Sequence, residues 1–179
     1  MNFEWKGVMP AITTCFDENL QIDHEFTAKH VAWLIENGCT GIVANGSIGE
    51  GGTMSLDEKI SLWKTIVGSV GDRVPVIAAI ASMTTADAIA QTKAAEEAGC
   101  SGVMVLPPYI YRGDWREMKY HLSEIIGSTP LSCMLYNNPV DYKTEITLDM
   151  FDEMVDTSNI QAIKESTRDI SNVTRLKNR

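Results

Sequence analysis

The sequence predicts an α/β fold with a parallel sheet, and three observations carry the prediction. Short runs rich in Val, Ile and Ala recur along the 179 residues, segments of helical periodicity lie between them, and one helix-to-strand peptide occurs twice. The apolar runs are residues 8–12, 41–44, 74–80, 102–106, 131–135 and 160–163. Each is apolar throughout rather than alternating, as expected of strands covered on both faces. The helical segments are residues 26–37, 55–70, 84–98, 114–126 and 147–155. In the first of them Phe26, Val31, Trp33, Leu34 and Ile35 alternate with Lys29, His30 and Glu36. Ser55 followed by Glu58, and Thr147 before Leu148-Asp149-Met150, mark helix starts; Gly38, Gly71, Gly99 and Gly127 mark helix ends. The repeated peptide is Asn37-Gly38-Cys39-Thr40-Gly41-Ile42-Val43 against Ala98-Gly99-Cys100-Ser101-Gly102-Val103-Met104, with one further strand between. That spacing is two βα units of about 30 residues each.

Two architectures fit this order: an open doubly wound sheet and a (β/α)8 TIM barrel. The first run leads into Thr13-Thr14-Cys15-Phe16, without the Gly-rich turn that often opens a dinucleotide-binding sheet. A barrel usually needs about 250 residues, so about its first six βα units are expected here, as a single domain over residues 1–179. At 44% hydrophobic and 22% charged, the composition is globular rather than disordered. The net charge of −9 argues against nucleic acid and anionic membrane as partners. No apolar run approaches the roughly 20 residues of a membrane span. The start, Met1-Asn2-Phe3-Glu4-Trp5-Lys6, lacks the basic-then-apolar pattern of a secretory signal. Cys15, Cys39, Cys100 and Cys133 form no CxxC pair and read as free or buried thiols, so a reducing, cytoplasmic setting is expected.

In either architecture the working residues sit at the C-terminal ends of strands. Lys164 follows Ile160-Gln161-Ala162-Ile163, a buried-strand pattern that places its amine in the mouth of the sheet. Desolvation there favours the neutral amine, which can attack a carbonyl. A lysine that snorkels to the rim or pairs with Glu165 is the alternative, although neighbouring strand residues face opposite ways. Tyr136 ends the preceding strand and would lie beside Lys164, as a proton-shuttling phenol or as a core aromatic. The loop Gly46-Ser47-Ile48-Gly49-Glu50 offers backbone N–H groups and a hydroxyl to an anion, or is an ordinary tight turn. A carboxylate suits it better than a phosphate, since no Lys or Arg stands nearby. His24, His30 and His121 lack metal-ligand spacing, and Trp33, Trp63 and Trp115 read as packing residues.

These strand-end motifs, in this order, resemble the dihydrodipicolinate synthase / N-acetylneuraminate lyase family. The similarity runs from Gly7-Val8-Met9-Pro10-Ala11-Ile12-Thr13-Thr14 through residues 46–50 and Tyr136-Asn137-Asn138-Pro139 to Ala162-Ile163-Lys164-Glu165-Ser166. The resemblance implies a homotetrameric (β/α)8 barrel with C-terminal helices, both partly outside this chain. It implies Lys164 as the imine-forming residue, Tyr136 as the proton relay and Ser47 as the hydroxyl that helps bind a 2-oxo acid carboxylate. Gly46, Ile48 and Gly49 complete that binding loop, with Ile48 able to offer only its backbone N–H. Tyr109 falls where the family often has a tyrosine reaching into a neighbouring subunit's site, and Tyr111 is its rival. Where dihydrodipicolinate synthases have an arginine that grips the second substrate's carboxylate, this chain has Asp141, which would repel it. Asn138, Tyr142, the Gly-Ser-x-Gly-Glu loop and Tyr111-Arg112-Gly113-Asp114 look more like the catabolic branch of deaminases and dehydratases.

The chemistry implied is a Schiff base between Lys164 and a small 2-oxo acid or cyclic imino acid, followed by elimination at C4. Tyr136, in part through Ser47, moves the protons, Asn138 contacts the substrate, and no metal or organic cofactor is required. An aldolase splitting the C3–C4 bond, or a dihydrodipicolinate synthase, is the alternative. A sugar-acid sensor without turnover and an inactive fragment are the non-enzymatic alternatives.

Overall fold

The computed structural model describes residues 3–154 and 159–178. Five strands, β1 (Ile42–Ala44), β2 (Val76–Ile80), β3 (Gly102–Val105), β4 (Ser132–Asn137) and β5 (Ile160–Glu165), form one sheet in the order β1-β2-β3-β4-β5. Every neighbouring pair is parallel. A doubly wound sheet reverses its strand order at a switch point; this one runs straight through, as the wall of a (β/α)8 barrel does. Helices α1 (His24–Glu36), α2 (Leu56–Val70), α3 (Thr85–Glu97) and α4 (Trp115–Gly127) fill the first crossovers. Two short helices, α5 (Pro139–Tyr142) and α6 (Leu148–Asp152), precede β5, and α7 (Ser171–Lys177) follows it.

The first expected strand, residues 8–12, is not a full strand. It lies parallel to β1 through the Ala11–Val43 bridge. The Ile12 N–H donates to the Val43 carbonyl at 3.0 Å, and the Val43 N–H donates to the Pro10 carbonyl at 2.9 Å. The next rung of a parallel ladder would need an N–H at position 10, and Pro10 has none. The chain therefore follows the strand path with a broken ladder.

Helix starts follow the side chains that satisfy orphan N–H groups. Ser55 and Glu58 form the expected reciprocal cap of α2, and Asp114 with Glu117 does the same for α4. Asp23 accepts from the Phe26 N–H at 2.8 Å, so α1 begins earlier than residue 26. The expected helix over 147–155 is shorter: α6 ends at Asp152, and Val155 lies outside the described residues. The repeated peptide adopts the same turn twice, with φ of +95° at Gly38 and +89° at Gly99. In each copy the glycine and following cysteine N–H groups close back on the helix, Cys39 on Leu34 and Cys100 on Ala95. Gly127 is the last residue of α4, and Ser128 caps it, its hydroxyl donating to the Ile125 carbonyl at 2.7 Å.

Side-chain alternation divides the core in two. Ile42, Ala44, Val76, Ala78, Ile80, Val103, Val105, Cys133 and Leu135 pack outward against the helices, where Trp63, Leu62, Ile66, Leu122 and Ile125 meet them. Val43, Ile77, Ala79, Met104, Leu106 and Tyr136 face the concave side. The cysteines are free thiols, and burial pushes Cys100 and Cys133 up to about 12. No helix among the described residues is long and apolar enough to cross a membrane.

Candidate active site

Tyr136 and Lys164 are register partners on β4 and β5. Both belong to the concave face, and the Lys164 Nζ lies 4.0 Å from the centroid of the Tyr136 ring. The negative face of a phenol ring attracts an ammonium at that distance. Lys164 also lines a cavity of about 410 Å³ with Met9, Val43, Met104, Met134 and Ala162. Glu165 points the other way, accepting from Asn137 Nδ2 at 3.0 Å and from the Thr167 N–H at 2.9 Å. The alternative pairing of Lys164 with Glu165 is thus not formed.

The loop after β1 is shaped by close packing. Asn45 has a φ of +48°, and its buried amide bridges two elements: Nδ2 donates to the Ala79 carbonyl at 2.8 Å, and Oδ1 accepts from Trp63 Nε1 at 2.6 Å. A Cβ on Gly51 would stand 1.9 Å from the Asn45 carbonyl oxygen, and one on Gly49 would stand 2.7 Å from that of Ile12. Only glycine fits at either place. Thr14 Oγ1 donates to the Gly49 carbonyl at 2.6 Å and ties the loop to the first strand path. The N–H groups of Gly49 and Gly51 both close on the Gly46 carbonyl, at 3.0 and 3.2 Å. Gly49 therefore uses its amide inside the turn, whereas the N–H groups of Ser47 and Ile48 have no bond to another described residue. The Ile48 side chain points outward, 63% exposed.

The structure brings a second tyrosine to this loop. Tyr142, the last residue of α5, hydrogen-bonds through its hydroxyl to Ser47. Its ring meets Tyr136 edge-on at 5.7 Å between centroids and Tyr109 at 6.2 Å. Burial raises the Tyr142 hydroxyl above the usual phenol range; the Ser47 bond opposes the shift, and Tyr136, Asp141 and Tyr109 add to it. Gly46, Ser47, Ala79, Leu106, Tyr109 and Tyr142 line a cavity of about 270 Å³. Lys164, Tyr136, Tyr142 and Ser47 thus form one contiguous row.

Two expectations change in this geometry. The Tyr136 hydroxyl is bonded to Asn138, at 2.9 Å, and Ser47 is bonded to Tyr142, so a direct Tyr136–Ser47 relay is not present. Asn138 is buried, and both of its Nδ2 hydrogens are engaged, one by Tyr136 and one by Asp141 Oδ2 at 2.7 Å. That amide has no N–H left over for a substrate in this arrangement. Tyr109 lines the cavity and Tyr111 stands 77% exposed outside its lining. Tyr142 is the residue that sequence reasoning left out of the site. Its signal was present: Asn138 as a helix cap followed by Pro139 at the first helical position begins a short helix that turns Tyr142 back over the loop.

The remaining polar candidates lie elsewhere. His24 bonds Thr65 at 2.7 Å on the surface. His121 is buried and bonded to Thr85 at 2.9 Å, its Nε2 has no partner among the described residues, and burial lowers its pKa. Trp63 is fully buried as expected, but Trp33 is 58% exposed. Among the described residues no three His, Cys, Asp or Glu side chains gather as a metal site requires.

The sequence model of the dihydrodipicolinate synthetase family matches residues 4–179. The chain belongs to that family. Among its relatives, the 4-hydroxy-tetrahydrodipicolinate synthase of Bacillus subtilis (strain 168) is 36% identical over 180 residues, a match covering 98% of this chain and 60% of the relative. The crystal structure of dihydrodipicolinate synthase DapA-2 from Bacillus anthracis superposes with a TM-score of 0.95 at 37% identity, over 99% of this chain and 61% of that one. YagE, a prophage protein of the dihydrodipicolinic acid synthase family from E. coli K12 solved in complex with pyruvate, gives a TM-score of 0.89 at 26% identity, over 93% of this chain and 56% of that one. The chain thus spans about three fifths of the length of the relatives it matches. Its five strands are part of the family's (β/α)8 barrel.

Proposed function

We propose that this chain carries the Schiff-base centre of a lyase acting on a small 2-oxo acid or cyclic imino acid, with elimination at C4. The observation that carries the reading is the Lys164 amine held 4.0 Å from the Tyr136 ring at the ends of adjacent strands. Neutral Lys164 attacks the C2 carbonyl or imine carbon, and water or the ring amine leaves to give a protonated imine. That imine draws electrons from C3, so C3 loses a proton and the C4 substituent departs as hydroxide or an amine, taking up a proton as it goes. Hydrolysis restores Lys164. The substrate carboxylate fits the Ser47 hydroxyl and the unengaged N–H groups of Ser47 and Ile48, and Tyr136 moves protons at the carbinolamine. None of these steps calls on a metal or organic cofactor. A homotetramer in the cytoplasm, with neither nucleic acid nor membrane as partner, goes with this reading.

Asp141 supports elimination over condensation with a second, carboxylate-bearing substrate. Its carboxylate lies on α5 beside Asn138 and adds to the upward shift of Tyr142, so its negative charge acts within the site. A second reading, 4-hydroxy-tetrahydrodipicolinate synthase, is favoured by the names of relatives at 36% identity. The experiment is borohydride reduction with pyruvate, followed by peptide mass mapping. One adduct on Lys164 is expected, and a Lys164→Ala variant that retains turnover removes the Schiff-base reading. Assays with 2-keto-3-deoxy acids, 4-hydroxyproline-derived imines, and pyruvate plus aspartate semialdehyde then separate the branches. Rapid condensation of the last pair would overturn the argument from Asp141.

A further inference from the structure

The strongest unexplained feature beside the site is the bonding of Asn138. Its carboxamide has three partners, two of them of fixed polarity. The Asp141 N–H can only donate, and it donates to Oδ1 at 3.3 Å. The Asp141 carboxylate accepts from Nδ2 at 2.7 Å. These two bonds leave no freedom to flip the amide, because a flip would set its NH2 against an N–H and its carbonyl against a carboxylate. The second Nδ2 hydrogen then necessarily points at the Tyr136 hydroxyl, 2.9 Å away, in a buried setting.

From this polarity we propose that Asn138 and Asp141 are positioning residues for Tyr136, fixing its hydroxyl as an acceptor on the Asn138 side so that its proton is aimed at the reacting centre. The inference rests on the Schiff-base reading of Lys164 and Tyr136. A phenol hydroxyl has one proton and accepts through its oxygen lone pairs. With Asn138 donating to it, that proton turns to the opposite in-plane side of the hydroxyl and is left free for a substrate held on Lys164, whose nitrogen lies over the same ring. When Tyr136 gives up its proton to the carbinolamine oxygen, the C–O bond breaks, water leaves, and the Asn138 N–H remains on the phenolate oxygen as a charge-assisted bond. When the imine is hydrolysed the proton returns by the same path. Asp141 holds the amide rather than touching the substrate.

The decisive substitution is Asn138→Asp. Aspartate is an equally good helix cap and nearly the same size, so α5 keeps its start. Paired with Asp141→Asn, it receives a donor on its second oxygen, and two carboxylates are kept from facing each other. Its oxygens only accept, so the hydrogen bond to Tyr136 reverses and the phenol proton is drawn towards position 138. The rate at which pyruvate yields a borohydride-trappable adduct on Lys164 should fall about 10²–10⁴-fold, the contribution of a positioned acid–base group. The pyruvate concentration for half-saturation and the melting temperature should change little. The pH profile of the trapping rate should lose the same limb that Tyr136→Phe loses, and adding Tyr136→Phe should lose nothing more. Asp141→Asn, which frees the amide to turn, should give a smaller loss in the same direction; Asn138→Ser, another good cap, provides the same test should Asn138→Asp fold poorly. Unchanged trapping in the folded paired variant or in a folded Asn138→Ser variant overturns the proposal. If the unaltered protein gives no adduct, the Schiff-base reading fails, and a second readout still decides this one. The infrared C–O stretch of Tyr136, isolated as the difference from Tyr136→Phe, should report an accepting hydroxyl in the unaltered protein and a donating one in the paired variant. A donating hydroxyl in both overturns it.

Discussion

Tyr142 gains its place from one hydroxyl contact, and that contact sets the first expectation at the scale of single residues. Ser47 and Tyr142 hydrogen-bond to one another, so removing either hydroxyl leaves the other without its partner. Ser47→Ala and Tyr142→Phe should each weaken 2-oxo acid binding, and the double variant should lose less than the sum of the two. A coupling of about 0.5–3 kcal/mol is usual for residues in direct contact, measured here by pyruvate titration of all four proteins. Additive losses would mean that the two hydroxyls act independently. Tyr136→Phe differs in kind. It keeps the ring packed beside Lys164 and removes only the proton, so turnover should fall about 10²–10⁴-fold with little change in KM. A variant that melts earlier yet turns over normally would make Tyr136 a core tyrosine that has lost a hydrogen bond of about 1 kcal/mol. At this scale the sequence made the strand ends legible, because a buried run that stops at a polar residue marks its own end. Lys164, Tyr136 and Ser47 could be placed on that basis. The partners of Asn138 and Tyr142 could not, since they depend on how α5 folds back over β1.

At the scale of elements, glycine separates a packing requirement from a mere preference. Gly51 lies in the site loop with its Cβ direction blocked by the Asn45 backbone oxygen, 1.9 Å away. Gly68 lies inside α2 with nothing within 4 Å of the same position. Gly51→Ala must therefore move backbone and should lower both melting temperature and pyruvate affinity, because the loop carrying Ser47 is rebuilt. Gly68→Ala should instead raise stability by about 0.5–1 kcal/mol, the gain of alanine over glycine in a helix. Thermal melts and pyruvate titration of the two variants check both signs. A tolerated Gly51→Ala would show that the loop is looser than its packing indicates. The elements themselves were largely legible. The helix start marked by Ser55 is a cap, and the segments that open at Thr84 and Asp114 are capped by those residues, since the side chain that satisfies an N–H must sit at one position. Two features escaped. The run at 8–12 reads as a strand by composition, yet Pro10 breaks its ladder. Gly127 reads as a helix end and α4 does end there, yet the cap comes from the Ser128 hydroxyl rather than from a left-handed glycine.

At the scale of the whole sheet, burial declines along its strands among the described residues. Every residue of β2 is buried, whereas no residue of β5 is. β5 is the last strand of the order, paired with β4 alone among the described residues. Its outer side borders a cavity of about 340 Å³ lined by Phe151, Met154, Ile160, Ala162, Ile163 and Leu176. An unpaired strand edge flanked by apolar surface is a template for pairing with another chain. Expressed by itself, the polypeptide of residues 1–179 should therefore self-associate, with a sedimentation mass that rises above the 19.7 kDa monomer as concentration increases. Amide exchange locates the contact. In dilute solution β5 amides should exchange far faster than those of β2, because few buried contacts resist their opening. On concentration, protection should grow in β5 and stay constant in β2. A monomer at all concentrations with β5 protected as well as β2 would mean that the edge is satisfied within the chain. Growth of protection in α1 or α2 instead would place the contact on the helical face, where Phe26 and Trp33 of α1 are exposed.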